Sequence, residues 1–300
     1  MKPKIDRGDF RKSRKILRAN DTSAAIIAVV SIAFTYIEYE IYYDNDYEST
    51  WGTDFLRSLN VILSLVIICL VVRHYYIVLR FLKVQELIYP GSQLCQAEGV
   101  RKNMFREILL LCIISPPGLD ITYEFEQLDG ELTYSLDTLI TLIYLLRFYF
   151  LLKLFKQYSS WTDQAAVNIG QRRNVIVDEV WALKCELRTN ATNGLIFMLI
   201  FSIFVFGLAL RTTEQPWPES DFEYIWNGWW IIAVSMTTIG YGEIVPTTHL
   251  GRAVVTASCI WGAFLLSAFV VVLIEGVDLE DNEEEVYQKV TERLYVQGKL

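Results

Sequence analysis

Long apolar runs dominate this chain and limit what it can fold into. A helix needs roughly 20 mostly apolar residues to cross a hydrocarbon core about 30 Å thick. The run from Ala253 to Ile274 is the clearest, because it contains no charged residue. Six such spans are predicted, at about residues 24–43, 55–79, 104–121, 136–156, 191–211 and 251–275. With 53% hydrophobic residues overall, an all-α integral membrane protein is favoured over soluble domains.

Basic residues predict the orientation of these spans, because Lys and Arg collect in short cytoplasmic loops. Residues 1–23 hold eight, the 80–106 loop holds five and the 156–190 segment holds five, whereas the loops at 44–54 and 119–135 hold none. Both termini are therefore predicted to be cytoplasmic, which six crossings satisfy. We expect a multi-pass protein of the plasma membrane, surrounded by lipid and without a signal peptide.

A short apolar helix and a glycine-rich stretch lie between the last two predicted spans. Residues 222–236 predict a helix too short to span, with Asp221 placed to cap it. In the TTIGYGE stretch that follows, two glycines flank Tyr241. Glycine permits positive φ, so alternating it with other residues can point successive carbonyl groups the same way. Non-helical backbone at membrane depth is tolerated only where it lines a watery cavity or is buried in protein.

The stretch Thr238-Ile239-Gly240-Tyr241-Gly242 resembles the potassium-channel filter sequence TVGYG, with Ile in place of Val. The resemblance implies that carbonyl oxygens of residues 238–241 and the Thr238 hydroxyl coordinate dehydrated K⁺. The residues expected to support this filter are Trp229, Trp230, Thr237 and Glu243. Because the chain has one such loop, a closed pore requires a homotetramer.

The fourth predicted span indicates how strongly such a pore would respond to voltage. A strong sensor stacks arginines at every third residue, since each charge moved contributes about 2.3 kcal/mol per 100 mV. Only three cations keep that spacing here: Arg147, Lys153 and Lys156. Weak or absent voltage dependence is therefore predicted. We expect Lys153 and Lys156 to snorkel to the cytoplasmic interface, and Arg147 to pair with Glu38 or Glu107.

Several stretches resemble the small-conductance calcium-activated potassium channel family. They are Ile37-Glu38-Tyr39-Glu40, Pro116-Pro117-Gly118, Arg147-Phe148-Tyr149, Trp161-Thr162-Asp163-Gln164-Ala165 and Trp261-Gly262-Ala263. Ile231 also follows Trp230 where voltage-gated channels usually have a second tryptophan, so another group must hold Tyr241. The resemblance implies six transmembrane helices with a re-entrant pore helix in a voltage-gated-like architecture. It also makes Gly262 a candidate bending point, with close helix packing as the alternative.

The resulting organisation has five parts. These are a basic cytoplasmic N-terminus (1–23), a four-helix sensor-like domain (24–156), a cytoplasmic linker (157–190), a pore domain (191–275) and an acidic cytoplasmic C-terminal segment (276–300). Seven acids occupy residues 275–285, beginning at Glu275. Four copies of this run would either form an acidic inner mouth that attracts cations or remain a solvated tail.

The resemblance implies gating by Ca²⁺ through calmodulin, which that family binds on a long helical region after the sixth span. Only 25 residues follow Glu275, so calcium sensing is expected to be altered unless the chain is truncated. The alternatives are a voltage-gated or other ligand-gated potassium channel and a non-conducting membrane scaffold or accessory subunit. We expect no enzyme, because two separated histidines and no nucleophile or phosphate-loop motif are present, and no nucleic-acid partner.

Overall fold

Helices make up most of the described chain. The computed structural model describes residues 7–45, 47–84, 98–118, 120–127, 130–162, 166, 169–170, 173, 175, 177, 179–217, 220–277 and 289–291. The helices are α1 (Arg7–Asp44), α2 (Trp51–Val84), α3 (Glu98–Leu111), α4 (Leu136–Leu145), α5 (Tyr149–Tyr158), α6 (Glu179–Thr189), α7 (Ala191–Glu214), α8 (Ile225–Met236) and α9 (His249–Val277). Strands β1 (Thr122–Gln127) and β2 (Gly130–Ser135) precede α4, and 3-10 turns occupy Leu146–Phe148 and Ser160–Thr162.

Five stretches of helix within the described residues are long and apolar enough to cross a membrane: Arg14–Asp44, Trp51–Arg80, Leu136–Tyr158, Ala191–Glu214 and His249–Ile274. They coincide with five of the six predicted spans. The structure thus confirms a helical protein with several membrane-length helices.

The third predicted span differs from the others. Its helix, α3, has 14 residues, about 21 Å, and ends before Pro116 and Pro117. The segment nevertheless runs beside α2, since Glu107 accepts a hydrogen bond from Tyr75 while Asp120 accepts one from Arg57. Tyr75 and Arg57 are 18 residues apart on α2, or about 27 Å. The chain covers this length as a short helix followed by non-helical backbone, because proline cannot continue a helix.

The predicted 119–135 loop contains a β-hairpin. Residues 122–127 alternate polar with aromatic side chains, the period of two that is typical of a strand. Tyr123 pairs with Tyr134 and Phe125 with Leu132 in an antiparallel register. Leu132 and Tyr134 are buried, and the Tyr134 hydroxyl donates to the Thr213 carbonyl at 2.9 Å. The hairpin therefore packs against the end of α7.

The four-helix unit consists of α1, α2, α3 and the consecutive α4 and α5, and α1, α2, α3 and α5 share an apolar core at one of its ends. Small residues of α1, including Ala24 and Ala28, meet Ile67 and Val71 of α2, and Phe150 of α5 closes the cluster. A second cluster joins α1 to the helices that follow, with Ile32, Leu145 and Leu208 buried together. The unit is thus fixed to α7 by apolar packing as well as by the hairpin.

Helix α8 lies between α7 and α9, and glycines allow the close approach on both sides. A Cβ added at Gly228 would lie 2.6 Å from the Gly207 carbonyl oxygen, and one added at Gly262 would lie 2.7 Å from Met236 Cα. Contacts this short admit no side chain. Small residues at helix crossings let backbones approach in this way.

The start of α8 corrects one prediction. The helix begins at Ile225 rather than residue 222, and its N-cap position, Tyr224, makes no side-chain capping bond. Asp221 instead accepts through its main-chain carbonyl a hydrogen bond from Asn227 Nδ2 at 2.6 Å. Residues 222–224 thus form a turn and a bend that lead into the helix.

Candidate functional site

The backbone of the filter segment, residues 238–242, alternates in the sign of φ. Thr238, Gly240 and Gly242 have φ of 61°, 61° and 73°, whereas Ile239 and Tyr241 keep ordinary negative values. This alternation is the arrangement that can point successive carbonyls to one side. For Thr238 it is unusual, because β-branched residues rarely adopt positive φ and doing so costs on the order of 1–3 kcal/mol. Strain of this kind persists only where the surrounding structure enforces it.

The end of α8 holds the start of the filter segment. Ile239 N donates to the Val234 carbonyl at 3.0 Å, and Thr238 N donates to Ser235 O at 3.1 Å. The Thr237 hydroxyl bonds back to Ala233 O at 2.7 Å, within the last turn of the helix. The negative end of the helix dipole therefore faces the filter segment, an arrangement that stabilises cations.

Trp230 supports the outer part of the segment. Its ring stacks on Tyr241, with centroids 6.0 Å apart and planes inclined by 16°. Its indole Nε1–H donates to the Glu243 carboxylate at 2.5 Å. Trp230 is thus the residue that packs against Tyr241. Ile231 does not, because it is buried among the residues that join α8 to its neighbouring helices.

Trp229 lies on the other face of α8, away from the filter segment. Its ring packs against Phe204 at 5.6 Å and covers the backbone of Gly207. Successive helical residues point about 100° apart, so the two adjacent tryptophans lie on different faces of α8. Trp229 therefore joins α8 to α7 rather than bracing Tyr241.

Glu214 anchors the chain that leaves the filter segment. It is 1% exposed and accepts hydrogen bonds from the main-chain N–H groups and the hydroxyls of Thr247 and Thr248. Thr248 Oγ1 in turn accepts from Gly251 N at 2.9 Å and caps α9. Glu214 is therefore a buried anchor of this loop rather than a solvated surface acid.

Gly262 lies against the end of α8, where its missing side chain is required by packing. Helix α9 is continuous through this position, from His249 to Val277. The geometry favours the packing alternative for Gly262, and bending there remains a prediction. Glu275 lies in the last turn of α9, and its side chain is outside the described part of the structure.

Two of the three cations of the fourth span, Arg147 and Lys153, have different surroundings from those predicted. Arg147 is 1% exposed and donates to Ser31 Oγ at 2.7 Å, with its guanidinium 3.6 Å from the centre of the Tyr144 ring. It is not bonded to either of the two predicted acids, which bind other partners. The 3-10 turn at Leu146–Phe148 changes the direction of its side chain relative to an unbroken helix.

Lys153 is held inside the four-helix unit, so the expectation that it snorkels was wrong. Its ammonium lies 2.5 Å from Glu107 Oε2 and near the rings of Tyr75 and Tyr149. Glu107 also accepts hydrogen bonds from both tyrosine hydroxyls. Lys156, one turn later, is half-buried near the end of α5.

Arg57 forms the centre of a buried charge network that the sequence analysis did not identify. Its guanidinium binds Glu38 at 2.9 Å, Asp137 at 2.7 Å and Asp120 at 3.0 Å. Asp137 also accepts from the Ser115 hydroxyl. At Asp120, burial opposes ionisation, but hydrogen bonds from Ser49 and Arg57 outweigh it and lower the pKa. The network joins α1, α2 and the start of α4.

Two arginines could have been singled out from sequence, because each stands in or beside a predicted span. Ionisable residues inside spans are expensive and mark functional contacts. Arg57 and Arg211 fit that description, and both are buried with carboxylate partners. Their partners could not be predicted, since they lie 19 and 171 residues away along the chain.

Part of this chain is similar in sequence to known proteins. Residues 194–277 match the model of a family described as Ion channel. The chain is 40% identical over 82 residues to potassium voltage-gated channel subfamily A member 2 of Oncorhynchus mykiss, which is 27% of this chain and 17% of that one. It is 38% identical over 79 residues to subfamily V member 2 of Mus musculus, 26% of this chain and 13% of the relative. It is also 35% identical over 96 residues to subfamily A member 10 of Homo sapiens, 30% and 19% respectively. The chain spans less than a fifth of the length of each relative.

Proposed function

We propose that four copies of this chain assemble around residues 238–242 to form a pore that conducts K⁺ passively across a membrane. The observation that carries the proposal is the alternating backbone of this segment, with positive φ at Thr238, Gly240 and Gly242. In that conformation carbonyls can replace the hydration shell of an ion. The match of residues 194–277 to an ion-channel family supports the same function, as do the potassium-channel names of the relatives.

The tetramer is supported by the exposure of the filter segment on a single chain. Residues 238–242 are exposed on one chain, and Tyr241 retains 62% of its accessible surface. A membrane protein does not expose non-helical backbone to lipid, because each unsatisfied polar group costs several kcal/mol there. Fourfold closure would place these segments around a shared aqueous axis.

The decisive experiment measures K⁺ and Na⁺ flux from liposomes that contain only this chain. Gly240→Ala should abolish the preference for K⁺, since alanine is strained at a φ of 61°. Gly118→Ala is the matched control, because Gly118 has a φ of 72° in a loop outside the filter segment and open space around it. Continued exclusion of Na⁺ by the Gly240 variant would refute the assignment. Sealed wild-type liposomes would favour the non-conducting scaffold instead.

For gating, we propose weak voltage dependence. Arg147 and Lys153 are both held by buried partners, and Lys153 has an acid and two tyrosines around it. The second candidate is a voltage-gated channel, which the names of the relatives favour. Current recorded over a range of voltages decides between them: steep activation that disappears when Arg147 and Lys153 are neutralised would establish the second candidate.

Calcium gating through calmodulin is the finer proposal that rests on the resemblance to the small-conductance family. The segments that bear on it, residues 163–165 and most of 278–300, lie outside the described residues. Excised patches test it directly, with cytoplasmic Ca²⁺ stepped up in the presence and absence of calmodulin. An unchanged current under both conditions would remove calcium from the mechanism.

A further inference from the structure

We infer that Arg211 is a positioning residue for the filter, and that its ion pair with Glu40 makes the end of α1 part of the filter's support. The inference rests on the proposed function and concerns the same pore. Arg211 lies one turn before the end of α7 and is 5% exposed. Its side chain joins α1, α7 and the approach to α8 through a single group.

The guanidinium of Arg211 binds two different elements. Both terminal nitrogens contact the Glu40 carboxylate of α1, with Nη2 at 2.9 Å from Oε2. Nη2 also donates to the main-chain carbonyl of Glu223 at 2.8 Å. A planar guanidinium can hold a carboxylate with two parallel bonds and still direct an N–H elsewhere, which a lysine ammonium cannot reproduce.

Glu40 neutralises the positive charge of Arg211, which lies close to the N-terminus of α8. The Glu223 carbonyl lies two residues before α8, next to the positive end of that helix dipole. A cation there is unfavourable unless an acid accompanies it. Among the described residues, the carboxylate bound to the Arg211 guanidinium is that of Glu40, and the remaining α1 partner, the Tyr36 hydroxyl at 2.9 Å, carries no charge to balance it.

The position of α8 determines the position of the filter segment, because the two are directly bonded. This helix has 12 residues, about 18 Å, and its far end bonds directly to residues 238–240. Its near end is set by the bond from Arg211 to Glu223 and by the crossing of Gly207 and Gly228. Because α8 moves as a rigid helix, a shift of its N-terminal end also displaces residues 238–240 at its C-terminal end, whose carbonyls are proposed to coordinate the ion.

The same turn of α7 is fixed to α1 by further bonds. The Tyr39 hydroxyl donates to Thr212 O at 3.1 Å, and the Tyr43 hydroxyl donates to Gln215 O at 3.1 Å. Three residues after Arg211, Glu214 holds the chain that leaves the filter. The end of α7 therefore fixes both sides of the filter loop, and α1 fixes the end of α7.

The test uses the full chain in liposomes and in patches, with the K⁺-to-Na⁺ permeability ratio and the rate at which current declines during sustained conduction as readouts. Arg211→Gln and Glu40→Gln should each change one readout at least about tenfold, which corresponds to 1.36 kcal/mol. Asp44→Asn is the matched control, because Asp44 is an exposed acid at the same end of α1. Wild-type values in Arg211→Gln would overturn the inference.

The double variant Glu40→Arg with Arg211→Glu separates positioning from simple stabilisation. It restores an ion pair, but a carboxylate at 211 cannot donate to the Glu223 carbonyl. We expect assembly to recover while the altered ratio or decline persists, and full recovery would overturn the inference. If Arg211→Gln fails to assemble, Arg211→Lys keeps the charge but not the fork, and wild-type behaviour would then be the contradicting result. Absence of K⁺ flux in the wild type would instead defeat the proposed function itself.

Discussion

The indole ring of Trp230 lies parallel to the phenol ring of Tyr241, at a centroid separation of 6.0 Å, and its N–H reaches Glu243. One side chain of α8 therefore holds residues on both sides of Gly242. Because α8 is itself packed against two helices through glycine contacts, the stack transfers the rigidity of those helices to the filter segment.

Trp230→Phe should keep most of the ring stacking and remove the hydrogen bond to Glu243. A hydrogen bond to a charged group contributes about 1.5–3 kcal/mol. The rate at which the filter segment leaves its conducting conformation should therefore rise roughly tenfold or more. The measurement is the decline of K⁺ current during prolonged opening. Trp226→Phe is the control, since Trp226 is exposed and stacks on Tyr224 before the helix. An equal effect of both changes would contradict the specific role of Trp230.

Gly262→Ala should disturb the end of α8, because its Cβ would lie 2.7–2.8 Å from main-chain and Cβ atoms of Met236. Overpacking of this kind costs typically 1–3 kcal/mol. We expect a lower melting temperature of the purified protein and a reduced preference for K⁺. Gly99→Ala provides the comparison, since nothing lies within 4 Å of a Cβ there. If Gly262 serves only as a bend in α9, the melting temperature should be unaffected.

Arg57→Gln should destabilise the four-helix unit strongly. The change leaves Glu38 and Asp137 buried without their cation, and removing one partner of a buried pair costs about 3–5 kcal/mol. Thermal unfolding of the purified protein measures the loss. Arg73→Gln, an exposed change on the same helix, should have an effect within about 0.5 kcal/mol. Similar melting temperatures for the two variants would show that the network does not stabilise the fold.

Lys153→Gln should change the steepness of the conductance–voltage relation by less than about one elementary charge per subunit. Lys153 is bound to Glu107 and surrounded by tyrosines, which opposes its movement through the field. The expected result is instead a loss of stability, because Glu107 loses its cation. Glu107→Gln with Lys153→Gln removes both charges and should be more stable than either single change. A large drop in steepness would favour a moving sensor.

Several features of the fold and site followed from local sequence. The apolar runs predicted the five membrane-length helices, because their lengths and composition suit a hydrocarbon core regardless of neighbours. The glycines at 240 and 242 predicted positive φ for the same reason, since that freedom belongs to glycine itself. The period-two alternation of residues 122–127 is likewise a local signal for a strand, although we predicted residues 119–135 as a loop.

What the sequence determined by itself was therefore the set of membrane-length helices, the position of the filter segment and the positive φ of its two glycines, whereas the positive φ of Thr238 depends on the surrounding structure. The tertiary structure decided the partners of the buried charges: Arg57 with Asp137, Lys153 with Glu107 and Arg211 with Glu40. It also decided the side of α8 on which each tryptophan lies. The physical reason is that a helix is set by neighbouring residues, whereas a charge pair or a glycine contact exists only where two distant segments are brought together.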